Sequence, residues 1–211
     1  MAIYVVWWCY DGMPYAIALM LLLVFTAICF GELLRSHGQL PFQQVAMTMV
    51  AGLLIPFLLA ALVRIQMMDQ GRFFVAAPFV MAFMTDTGAY LIGCAFGKHK
   101  LCPNISPKKS WEGFAGGIVI AAASLMLYGL LMAKIGGFRV NYALAAVYGL
   151  AGSLGSVFGD LSMSVIKRQT GIKDYGKLIP GHGGVLDRFD SLVMVAPLME
   201  ALILVLPVII V

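Results

Sequence analysis

One feature recurs from end to end of this chain: apolar runs of the length that crosses a lipid bilayer as a helix. Six are read, at Pro14–Leu34, Gln43–Val63, Phe73–Phe96, Phe114–Ala133, Tyr142–Val165 and Asp190–Val211. Each is close to the roughly 20 helical residues that span a hydrocarbon layer about 30 Å thick. Lipid supplies no hydrogen bonds, so a spanning segment must satisfy its backbone internally, as a helix or as part of a closed barrel. These runs lack the alternation of barrel strands. The expected fold is all-α, a polytopic transmembrane helical bundle of six spans with the chemistry on cytoplasmic loops. Residues 1–211 form a single integral membrane domain, with N-terminal spans in 1–80 and a catalytic half in 81–211.

Charge content excludes a soluble alternative. Charged residues make up 11% and hydrophobic residues 62%, against about 25% charged in soluble domains. The net charge of +4 does not point to nucleic acid here. In a membrane chain it points to anionic lipid head groups or a nucleotide. Cys9, Cys29, Cys94 and Cys102 form no C-x-x-C pair, so neither a disulfide framework nor a zinc site is expected. The N-terminal segment has no basic region and no small-residue cleavage site, so no cleavable signal peptide is expected.

Basic residues orient the chain. The loops after the first, third and fifth spans carry Arg35, Lys98, Lys100, Lys108, Lys109, Lys167, Arg168, Lys173, Lys177 and Arg188. The opposite face carries Arg64, Arg72, Lys134 and Arg139. The excess marks the first face as cytoplasmic. It also carries the two long polar loops, Gly97–Gly113 and Ile166–Arg188, which can therefore meet.

In the second loop, four cations (Lys167, Arg168, Lys173 and Lys177) precede the turn Pro180-Gly-His182-Gly183-Gly184. Glycines there let backbone N–H groups approach an anion. Asp187 and Asp190 follow, three apart and on one helix face. Two carboxylates beside phosphate-binding cations call for a divalent metal, and magnesium is commonly held by one or two carboxylates plus substrate phosphates. The bland alternative for either Asp is a helix N-cap. Asp160 lies inside the fifth span, where an ionisable group is costly and points to function. It is placed to join the pair. Asp86, between Thr85 and Thr87, is a further candidate ligand, with a helix-packing hydrogen bond as its alternative. Ser106, Lys108 and Lys109 in the first loop suit a phosphate or an anionic lipid, although a basic cytoplasmic loop is expected in any case.

The stretch Ser164–Asp190 reads Ser, then Lys-Arg, Lys-Asp, His-Gly-Gly and Asp-Arg-x-Asp. This resembles the signature of phosphatidate cytidylyltransferases, also called CDP-diacylglycerol synthases. The resemblance continues upstream through Ser106-Pro-Lys-Lys-Ser-Trp111-Glu-Gly113, Phe96-Gly-Lys-His-Lys-Leu101 and Asp86-Thr-Gly-Ala-Tyr90. Thr85 departs from the small apolar residue expected there, and the family's additional N-terminal spans have no counterpart. The resemblance implies that CTP and phosphatidic acid are converted to CDP-diacylglycerol and pyrophosphate in phospholipid biosynthesis. The catalytic set would be Asp160, Asp187, Asp190 and Lys173. Magnesium would be held by Asp160, Asp187, Asp190 and Asp86, with a second cation left open. Phosphates would be held by Lys167, Arg168, Lys177, His182, Gly183, Gly184, Arg188, Ser106, Lys108 and Lys109. The setting would be the lipid bilayer of a bacterial inner membrane, with no nucleic acid as partner and a homodimer left open.

Three alternatives remain. A transporter also carries intramembrane Asp residues, but no internal repeat is evident and the polar residues gather on one side. A CDP-alcohol phosphotransferase would need a D-G-x-x-A-R pattern, which is absent. A catalytically inactive relative would keep the fold without turnover.

Overall fold

The computed structural model describes residues 15–37, 39–176 and 183–210. The chain divides into two compact units, one ending at Gly71 and the other beginning at Arg72.

In the first unit, α1 (Tyr15–Arg35) ends where Ser36 Oγ donates to the Leu33 carbonyl at 2.7 Å. Arg35 pairs with Glu32 one turn back at 3.6 Å, an ordinary surface pair. The second membrane-length run is broken into α2 (Phe42–Met49), a π-helical turn (Val50–Leu54), α3 (Ile55–Leu59) and α4 (Ala61–Met67). Pro56 explains the break. It has no N–H to donate and its ring crowds the preceding turn, and a widened turn just before it relieves both problems.

The second unit carries the polar chemistry. It contains α5 (Gly71–Phe74, beginning at the junction), α6 (Ala77–Phe96), a hairpin of β1 (Lys100–Cys102) and β2 (Ser106–Ser110), then α7 (Trp111–Gly136), β3 (Arg139–Val140), α8 (Tyr142–Gln169), α9 (Leu186–Phe189), α10 (Leu192–Val205) and β4 (Ile209–Ile210). Pro78 lies in the first turn of α6, where its missing N–H costs nothing. Ser110 caps α7 by accepting from Gly113 N–H at 3.1 Å. Asn141 caps α8 by accepting from Ala143 and Leu144 N–H at 3.1 and 3.2 Å. Gly137, at φ +70°, closes α7 in the left-handed conformation.

Small residues set the helix spacing. A Cβ on Gly117 would stand 2.8 Å from the Thr85 carbonyl oxygen, and one on Gly113 would stand 2.6 Å from that of Ala89, so α6 and α7 meet backbone to backbone. Gly149 does the same against Ala122, bringing α8 onto α7. At the end away from the hairpin, Phe73 and Phe138 meet edge to face at 5.1 Å. The Tyr128 and Tyr148 hydroxyls there donate to the Phe73 and Leu206 carbonyls, each at 2.7 Å.

The class is all-α, with helices of membrane length. Among the described residues five helical runs are long and apolar enough to cross a membrane: Ala16–Arg35, Phe42–Met67, Gly71–Phe96, Trp111–Gly136 and Tyr142–Gln169. The expected sixth span at Asp190–Val211 is different. Its helix, α10, has 14 residues, about 21 Å of rise. Leu206 precedes Pro207, which disfavours the helical region for it, and its φ/ψ of −131°/73° ends the helix. The chain then forms β4, antiparallel to β3. The loop Gly97–Gly113 also holds more order than expected, since its hairpin pairs Lys100 with Ser110 and Cys102 with Ser106.

Candidate active site

The site forms where the α6 and α8 helices meet the hairpin and the turn before α10. On α8, Asp160, Ser164 and Lys167 are spaced four and three apart and so share one face. Ser164 Oγ donates to Asp160 Oδ1 at 3.4 Å. Lys109, on β2, forms an ion pair with Asp160 Oδ2, and both side chains are about four-fifths buried. Lys167 Nζ lies 3.1 Å from Asp187 Oδ1 and 3.5 Å from Asp190 Oδ2, so one ammonium group bridges the two carboxylates.

Asp187 is no helix cap. Its Oδ2 accepts from Tyr175 N–H at 2.8 Å and Gly184 N–H at 2.9 Å, both upstream of α9, whereas a cap would bond downstream. Burial alone would raise its carboxyl. The N–H of Gly184, the Lys167 ammonium and the N–H of Tyr175 outweigh burial and hold it below the usual carboxylate range. Asp190 sits in the turn between α9 and α10, 9% exposed, with Oδ1 accepting from Ser191 N–H at 2.9 Å. Burial first, then the nearby Asp160 charge, push its carboxyl up to about 6. Tyr175 is raised to about 12 by burial and then by Asp187 and Asp190. Its hydroxyl donates to the Met163 carbonyl at 3.0 Å, and its ring lies under Lys167 at 5.3 Å.

Asp86, on α6, accepts from Ser191 Oγ at 3.3 Å. It lines a cavity of about 260 Å³ with Tyr90, Ser106, Lys108, Lys109 and Phe114 among its other walls. The structure therefore gathers two groups of sequence-selected residues. Asp86, Ser106, Lys108 and Lys109 share the cavity. Lys167, Asp187 and Asp190 form an adjoining ion-pair network, tied to the cavity by the Ser191–Asp86 hydrogen bond, while Asp160 pairs with Lys109 of the cavity and its charge reaches Asp190.

Other expected residues stand further out. Arg168 is exposed, with Nε 3.5 Å from the Ile105 carbonyl at the hairpin turn. Lys173, in the loop after α8, and Arg188, on α9, are exposed. Gly183, at φ +83°, permits the turn, and Gly184 packs against Gly176 while giving its N–H to Asp187. Lys177 and His182 lie outside the described residues. Among the described residues no three His, Cys, Asp or Glu side chains converge closely enough, as they stand, to hold a metal ion together.

Sequence reasoning did not single out Ser191, Tyr175 or Glu112. Ser191 directly follows Asp190 at the start of an apolar run, which was a readable signal. Tyr175 and Glu112 gave none, because their partners lie 12 and 13 residues away across folded loops. The hydroxyl of Thr85, next to Asp86, donates to its own helix at the Met81 carbonyl, 2.6 Å away.

Residues 1–206 match the model of the cytidylyltransferase family. A phosphatidate cytidylyltransferase of Staphylococcus saprophyticus is 40% identical over 136 residues, 64% of this chain and 51% of that protein. Those of Staphylococcus aureus (strain COL) and Staphylococcus epidermidis (strain ATCC 35984) are 42% and 41% identical, with the same coverage. In these alignments the chain spans about half the length of the curated relatives it matches. With a match covering nearly all of its residues, the chain belongs to the cytidylyltransferase family.

Proposed function

We propose that this protein transfers the cytidylyl group of CTP to phosphatidic acid, releasing pyrophosphate and leaving CDP-diacylglycerol in the membrane. The observation that carries the reading is the cavity holding Asp86, Ser106, Lys108 and Lys109, with Asp160 paired to Lys109 and the Lys167–Asp187–Asp190 ion pairs beside it, at one end of membrane-length helices. A lipid substrate can stay in the bilayer there while a nucleotide arrives from water. The inner membrane of a bacterium, with the site facing the cytoplasm, fits the distribution of Lys and Arg.

The donor set fits a hard divalent cation. Two ammonium groups stand among four carboxylates, all donors are oxygen, and the charge of Asp160 adds to the burial that raises the carboxyl of Asp190. Asp86, Asp160 and Asp190 would hold magnesium. Asp187 would join them through the carboxylate it shares with Lys167. Bound there, magnesium would neutralise triphosphate charge and ease the departure of pyrophosphate.

The chain's own groups do the rest. Lys108, Lys109 and Ser106 hold phosphate oxygens inside the cavity. Lys173, Arg168 and Arg188 draw the nucleotide to its mouth. Gly183 and Gly184 act through Asp187 by shaping the loop around it. The attacking oxygen belongs to a phosphate monoester with a second pKa of about 6, so it is already ionised near neutral pH. No general base is required, and the protein's contribution is alignment and charge stabilisation.

Purified protein in mixed micelles, given labelled CTP, should release pyrophosphate only when phosphatidate and magnesium are both present. Turnover independent of phosphatidate, or none under any divalent cation, would overturn the reading.

A further inference from the structure

The hairpin that brings Ser106, Lys108 and Lys109 to the cavity needs something to hold it there, since β1 and β2 together contain only eight residues. One side chain closes its base. The carboxylate of Glu112, in the first turn of α7, accepts from Lys98 N–H at 3.2 Å and from His99 N–H at 3.3 Å. The His99 imidazole donates from Nδ1 to Glu112 Oε1 at 2.6 Å. That nitrogen carries the proton, because an ionised carboxylate only accepts. The Trp111 N–H returns a bond to the His99 carbonyl at 3.0 Å. Both ends of the hairpin are thereby fastened to the start of one membrane helix. Lys109, three residues before Glu112, faces Asp160 across that fastening.

We propose that Glu112 is a positioning residue: it latches the base of the hairpin through Lys98 and His99 and so fixes Lys109 and Ser106 over the carboxylate network, with His99 stiffening the latch. The contacts made by Glu112 are to loop backbone and to His99, so it acts through the lysine and not on substrate. The proposal rests on the cytidylyl-transfer reading for its kinetic consequence and on geometry alone for its structural one.

The test compares Glu112→Ala, Glu112→Gln and His99→Ala in the full chain in detergent micelles. Hydrogen exchange reads the latch directly. In Glu112→Ala, amides of residues 98–110 should exchange about tenfold faster, as expected for loss of hydrogen bonds to a charged acceptor, while those of α7 and α8 stay unchanged. The KM for CTP should rise about tenfold with kcat within about threefold, because the phosphate-holding groups are loosened rather than removed. Glu112→Gln keeps one acceptor oxygen and should fall between the unaltered chain and Glu112→Ala. His99→Ala removes only the ring contact and should speed hairpin exchange by about threefold. Unchanged hairpin exchange in Glu112→Ala, a loss carried by kcat alone, or no rescue by Gln would each overturn the proposal. If the unaltered chain turns over no CTP, the cytidylyl-transfer reading falls, and the exchange comparison alone then decides the latch.

Discussion

Gly159 of α8 lies so close to the main chain of Ser191 that a Cβ on it would stand 3.0 Å from the Ser191 carbonyl oxygen, with the Asp190 carbonyl at 3.1 Å. This contact seats the turn carrying Asp190 beside Asp160. Gly159→Ala would gain about 1 kcal/mol of helix propensity and lose about 1–3 kcal/mol to overpacking against a backbone that cannot rotate away. The expected result is a modest fall in the thermal unfolding midpoint and a larger fall in CTP turnover. Gly155→Ala is the control. Its Cβ would meet only side chains, nearest the tip of Leu198 at 2.8 Å, which can move aside. Stability and turnover should stay close to those of the unaltered chain.

Asp187 and Lys167 form a largely buried pair, with 6% and 13% of their side chains exposed. Asp187→Ala would leave two N–H groups without their acceptor and the ammonium group with only the longer contact to Asp190 at 3.5 Å. Breaking a buried pair from one side costs about 3–5 kcal/mol, so this variant should lose cooperative unfolding of the Tyr175–Asp190 region. Asp187→Asn keeps one acceptor oxygen and should retain the fold. Its turnover should drop by about a hundredfold or more, the scale of losing one electrostatic contact in an active site. Circular dichroism with the CTP assay separates the two effects, and full activity in Asp187→Asn would remove Asp187 from the site.

The two caps offer a matched pair. Ser110→Ala and Asn141→Ala should each cost about 1 kcal/mol by removing an N-cap acceptor. Ser110 also lines the cavity and borders the hairpin, whereas Asn141 caps α8 at the far end, beside β4. Denaturation midpoints should shift alike, while only Ser110→Ala should lower CTP turnover. Equal turnover in both would separate the hairpin from catalysis.

Proton and cation should compete at Asp190. A carboxyl raised to about 6 in the folded chain favours its protonated form. Its contribution to stability, in the absence of cation, is full below the ordinary carboxylate range and is lost as pH rises through about 6. A cation needs the ionised form. The stabilisation that magnesium gives should therefore be large near pH 7.5 and shrink toward about pH 5, read as the shift in unfolding midpoint on adding magnesium. A shift independent of pH across that window would separate Asp190 from the cation.

Much of the candidate site was legible because membrane chains rarely retain a charge without using it. Asp160 and Asp86 were visible inside apolar runs, and Asp187 and Asp190 beside clustered cations. The division of labour among these groups was not legible. Lys167 bridges Asp187 and Asp190 from 20 and 23 residues away, and Lys109 reaches Asp160 from the other polar loop. Such pairings depend on how two loops fold over each other, and no local pattern encodes that.

The amino-acid sequence by itself determined that the chain is helical and suited to lipid, because apolar runs of bilayer length without strand alternation leave the backbone only the helix to satisfy its hydrogen bonds. It also determined where the polar chemistry gathers, because charges in such a chain are few. Tertiary structure alone decided that the end of the last apolar run pairs as a strand with β3, that the first basic loop is a hairpin fastened by Glu112, and that Ser191 ties Asp86 to the turn bearing Asp190. Those outcomes rest on distances of about 3 Å between residues far apart in the chain, which exist only once the helices have packed glycine against backbone.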